Sequence, residues 1–97
     1  MSAYIVAMIE ITDPQGYADY RAQTPDLIAK YGGRFLVRGG ELDIKEGDWP
    51  HPRVVVIEFR DMESAQAFYH SPEYQAILPL RTNHAVGNLA VIPGAEI

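Results

Sequence analysis

The chain has 97 residues, 47% of them hydrophobic, with 13 acidic against 8 basic side chains and a formal charge of −5. That length predicts a single domain over residues 1–97, burying about 60–70% of its unfolded surface. The acidic balance argues against a nucleic-acid partner, the lack of cysteine removes disulfides and thiolate metal sites, and no apolar run nears the roughly 18 residues of a membrane span.

Met1 to Tyr4 lead into a strand without the basic stretch of a signal peptide, so a cytoplasmic protein is expected. Ala3 to Ile11 is apolar on both faces, with Glu10 its only charge, which suits an interior strand. Asp13-Pro14 then opens a helix: the carboxylate caps free amides, and proline sits where no amide is needed. Tyr17, Tyr20, Thr24, Leu27, Ile28 and Tyr31 follow at helical spacing. Pro25 predicts a break or kink with Thr24 as a second cap. Gly32-Gly33 ends the helix.

Arg34 to Arg38 reads as a short strand, followed by Gly39-Gly40 as a bulge or bend. Strict alternation puts Arg34, Leu36 and Arg38 on one face, Phe35 and Val37 on the other. Glu41 to Pro52 is a polar connection. Arg53 to Phe59 is the second interior-type strand, with Arg53 on the face of Val55 and Ile57. Asp61 caps a helix carrying Ala65, Phe68 and Tyr69. Ser71-Pro72-Glu73-Tyr74 repeats the cap-proline signature, restarting a helix that holds Tyr74, Ile77 and Arg81 on one stripe. Ala85 to Ile92 is the last strand.

The order βαββαβ, with right-handed crossovers, predicts an α+β ferredoxin-like antiparallel sheet with two helices on one face. The two most apolar runs fall at the first and third strands, which are central in that topology. Helices on one face leave the other apolar face bare, so a homodimer is expected.

Arg38 beside Gly39-Gly40 suits a ligand carboxylate, because guanidinium pairs with it bidentately. The structural alternative is an edge-strand arginine paired with Glu41 or Glu46. Arg81, on an apolar stripe, must be paired or must reach outward. Tyr20 and Tyr74 sit at packing positions, yet their hydroxyls would make a polar end to a pocket beside either arginine. Arg53 reads as a salt-bridge partner near the subunit interface. Trp49 stands in a polar loop, either over a ligand or across the dimer. His51, His70 and His84 lack metal-ligand spacing, and no nucleotide or flavin motif appears, so neither metal nor cofactor is expected.

As an ordered set, Phe35-Leu36-Val37-Arg38-Gly39-Gly40, Glu46-Gly47, Arg53 leading into Val56-Ile57-Glu58-Phe59, then Ser71-Pro72-Glu73-Tyr74-Gln75 and Arg81 resemble the family called domain of unknown function 1330. The resemblance runs from Tyr4 to Gly94 and implies a dimeric α+β barrel. It implies no activity. It adds Glu46, from the Glu-Gly motif, to the candidate ligand residues Arg38, Arg81, Tyr74 and Tyr20. Distant relatives include cofactor-independent monooxygenases, isomerases, haem-degrading enzymes and stress-response proteins. Three functions follow as expectations: binding of a small anionic or carboxylate-bearing molecule in a sheet–helix pocket; monooxygenase- or isomerase-like catalysis with Glu58, His84 or Tyr74 moving a proton; or a stress or interaction protein without chemistry.

Overall fold

A computed structural model describes residues 1–96. Its elements are β1 (Ala3–Ile11), α1 (Pro14–Lys30), β2 (Arg34–Arg38), β3 (Arg53–Phe59), α2 (Met62–His70), α3 (Pro72–Thr82) and β4 (Ala85–Pro93). The four strands form one antiparallel sheet in the order β2-β3-β1-β4. The two most apolar runs therefore hold the centre, as their sequence required.

Capping chemistry sets the helix starts. The Gly16 N–H donates to the Asp13 carboxylate at 3.2 Å, and the Ser64 N–H to that of Asp61 at 2.7 Å. Ser71 serves two helices at once. Its hydroxyl donates to the Phe68 carbonyl at 2.7 Å, closing α2, and accepts from the Tyr74 N–H at 3.1 Å, opening α3. The second crossover is thus two helices divided at Ser71, where a single one is the simplest pattern.

Helix α1 does not break at Pro25. It continues to Lys30, and Thr24 is an interior residue rather than a cap: its hydroxyl donates to the Tyr20 carbonyl at 3.1 Å. Burial of Tyr17, Thr24 and Ile28 and packing against α3 hold the helix through the missing amide. The helix ends at Gly32, whose φ of +83° is the left-handed conformation glycine adopts without penalty.

The core lies between the sheet and the helices. Ala3, Ile5, Ala7 and Ile9 alternate inward from β1, Val55, Ile57 and Phe59 from β3, and Ile28, Phe68 and Tyr74 pack over them. The opposite sheet face carries Tyr4, Val6, Met8, Val54 and Val56, half-buried, with Val37, Val86 and Ile92 exposed. At its edge, the Tyr4 hydroxyl and the Arg34 Nε–H donate to Glu58, at 3.3 and 2.8 Å. No helix among the described residues is long and apolar enough to cross a membrane.

Candidate functional site

A bulge in β2 decides which side of the sheet Arg38 serves. Phe35 pairs with Ile57, but Val37 pairs with Val56 and Arg38 with Val55, so Leu36 is an extra residue. One inserted residue inverts the alternation beyond it. Arg38 therefore leaves the face of Arg34 and joins Phe35 on the helix side, contrary to strict alternation. Its guanidinium carbon lies 4.3 Å from the Phe35 ring centroid, a cation–π contact that holds the head over the sheet.

Beneath it, between the sheet and helices α1 and α3, is a cavity of about 50 Å3. Its floor is apolar, from Ile5, Ala7, Val55 and Ile57. Its charged lining is entirely cationic: Arg21, Arg38, Arg53 and Arg81, with no carboxylate among the lining residues. Ion pairs of the described residues involve Lys30, Arg34, Lys45, His51 and Arg60, and none of these four arginines. A protein of net charge −5 thus concentrates half of its eight basic residues around one small space.

The deepest of them is Arg81. It is 8% exposed, and its Nε meets no protein acceptor; the same holds for the Nε of Arg53. Next to Arg81, the Tyr20 and Tyr74 hydroxyls lie 2.7 Å apart. One O–H donates to the other, which leaves the second proton free to point elsewhere. Burial, then the adjacent Tyr74 phenol, pushes the Tyr20 hydroxyl far above its ordinary range, with Arg81 pulling partly the other way. Tyr20 therefore stays a neutral phenol. Burial opposes the Arg81 charge, but the Tyr74 and Tyr20 oxygens outweigh it and hold its pKa above the usual arginine value. The arrangement can receive an oxyanion through guanidinium and phenol donors over an apolar floor.

Of the residues singled out from sequence, the fold brings Arg38, Arg81, Tyr20 and Tyr74 to one cavity. Glu46 is not among them. It is exposed on the connection between β2 and β3, where turn geometry at Gly47 (φ +71°) keeps it in solvent. Glu58 lies on the other sheet face, where the Arg34 hydrogen bond holds its carboxyl below the usual range. His84 packs its ring against Gly16, with Nδ1 2.7 Å from the Leu80 carbonyl, outside the cavity. Arg53 forms no ion pair among the described residues and lines the cavity. Arg21, Tyr17 and Thr24 were missed, although Tyr17, Arg21, Thr24 and Ile28 follow one helical stripe. Among the described residues, no group of three or more histidines and carboxylates is placed to hold a metal.

Solved structures share this fold at low identity. The chain matches a protein of unknown function from Rhodopseudomonas palustris, RPA0582, at 15% identity and a TM-score of 0.73, covering 99% of this chain and 84% of that one. The methylated form of RPA0582 matches at 14% identity and a TM-score of 0.74, covering 98% and 82%. SnoaB, a cofactor-independent oxygenase from Streptomyces nogalater, matches at 15% identity and a TM-score of 0.68, covering 99% and 95%. Comparison with curated proteins returns no significant match. Residues 2–95 match the family model described as domain of unknown function (DUF1330), and the chain belongs to that family.

Proposed function

We propose that the protein binds a small anionic, carboxylate-bearing molecule in the cavity between sheet and helices. The observation that carries this reading is a cationic lining without an acid, with Arg81 buried and its Nε without an acceptor among the described residues. A buried charge costs several kcal/mol unless a counter-charge or hydrogen bonds offset it. Structural arginines normally find a carboxylate, and these have none within the protein among the described residues. A ligand carboxylate supplies what the lining lacks.

Catalysis is the weaker reading. Likeness to an oxygenase at 15% identity carries the fold alone. Of the three proton carriers considered from sequence, Glu58 and His84 stand outside the cavity, and only Tyr74 lines it. The test is an NMR titration with propanoate and its neutral isostere propanamide. Propanoate should move the arginine Nε resonances and bind at least tenfold tighter, a charge-assisted contact being worth about 1.5–3 kcal/mol. Equal binding of the two would remove the reading.

We also infer that the bare face of the sheet docks on a second copy of the chain. Its support is the row of valines with Met8 and Ile92 on the side away from the helices. A two-fold axis lets one such patch cover another.

A further inference from the structure

A second space adjoins the cavity. A groove of about 700 Å3 runs beneath the connection between β2 and β3, walled by Leu42, Ile44 and Trp49. Ile9 and Arg53 line both spaces. At this junction the Arg53 guanidinium passes directly over Gly39, which has φ +75° and no side chain to obstruct it.

Three observations say what the two adjoining spaces would take together, given the anion-binding reading on which this inference rests. First, about 50 Å3 admits only a few heavy atoms, since a single water needs roughly 10–15 Å3 by the same measure. A ligand larger than its head group must continue elsewhere. Second, the groove presents Trp49 and Ile44 at 45% and 50% exposure, large apolar side chains held in water by a connection without regular structure. Third, the charges change sign. Glu10 and Glu41 flank the groove, so the part of a ligand lying there gains nothing from being anionic.

We propose that the ligand is a monoanion with an uncharged aromatic or branched apolar tail, its carboxylate held at Arg38, Arg53 and Arg81 and its tail lying in the groove against Trp49. Arg53 is the shared wall, touching head and tail alike. Trp49 belongs to the ligand site rather than to an interface between subunits.

The chain has a single tryptophan, so its indole N–H gives one resonance that reports the groove alone. Propanoate, 4-phenylbutanoate and hexanedioate are titrated into the 15N-labelled protein, with Arg38→Met and Trp49→Ala variants. Propanoate should move the arginine Nε signals and leave the indole still. 4-Phenylbutanoate should move both and bind about tenfold tighter, while hexanedioate, with a second charge, should gain nothing over propanoate. Trp49→Ala should collapse the advantage of the phenyl tail. The proposal is overturned if 4-phenylbutanoate leaves the indole unmoved or binds no tighter, with Arg38→Met still weakening propanoate; the cavity then binds anions and the groove has another use. If Arg38→Met affects neither ligand, the anion reading falls and this inference with it.

Discussion

Gly39 lies beneath the guanidinium of Arg53, so closely that any β-carbon at position 39 would collide with it. The glycine is favoured by its φ of +75°, and a side chain there would force the flexible Arg53 head group to move. Gly39→Ala should lower stability by about 1–2 kcal/mol, the usual cost of a left-handed backbone for a residue with a side chain. It should also displace Arg53 and weaken propanoate binding, read by denaturant unfolding alongside the titration. Unchanged binding would separate Arg53 from the site.

Arg81 offers a sharper contrast between stability and function. It has no carboxylate partner, and its charge is met only by the Tyr74 and Tyr20 oxygens, so Arg81→Met removes a buried cation and strands no carboxylate, while methionine refills most of the stem volume. Thermal unfolding of the unliganded variant should match or exceed the parent, and propanoate affinity should fall ten- to a hundredfold. A stability loss above about 2 kcal/mol would mark Arg81 as structural.

Ser71 joins two helices through one buried hydroxyl. Ser71→Ala takes the acceptor from the Tyr74 N–H and a donor from the Phe68 carbonyl, which keeps its bond from the Ser71 N–H at 3.2 Å. The expected cost is about 1–2 kcal/mol, while Ser71→Asp, another good cap, should recover part of it. Chemical denaturation decides between these outcomes and no effect.

Acid should destabilise the fold. The Arg34 hydrogen bond lowers the pKa of Glu58, the Ser64 hydrogen bond that of Asp61, and the Lys30 hydrogen bond that of Glu73. A carboxyl depressed in the folded state contributes stability above its unfolded pKa, and that contribution disappears as pH falls through the folded value. Melting temperature should thus be level near neutrality and decline below about pH 4.5. The cavity lining contains no histidine or carboxylate, so carboxylate affinity should stay flat from about pH 6 to 9. A bell-shaped binding profile near neutrality would point to a titrating group in the site.

The bare sheet face calls for light scattering. The parent should show twice the chain mass at micromolar concentration, and Val56→Lys, at the centre of that face, should give a folded monomer or a weaker dimer. A parent that is already monomeric and folded would show that water tolerates those valines.

Much of this architecture is written in local chemistry. The apolar runs Ala3–Ile11 and Arg53–Phe59 mark central strands because neighbours on both sides shield an apolar run better than a sheet edge does, and Asp13, Asp61 and Ser71 announce helix starts because free amides need a nearby oxygen. Tyr20, Tyr74 and Arg81 could be placed on inward stripes from their spacing alone. The facing of Arg38 could not be read that way. It depends on an extra residue at Leu36, which arises from pairing β2 against β3 and leaves no mark in the five residues themselves. Whether an arginine is paired is likewise a long-range fact. Arg34 meets Glu58 across the sheet and becomes structural, while Arg53, Arg81 and Arg21 arrive from three elements at one cavity without an acid. Periodicity assigns each side chain a face of its own element. Only the packing of those elements against one another decides which charges meet.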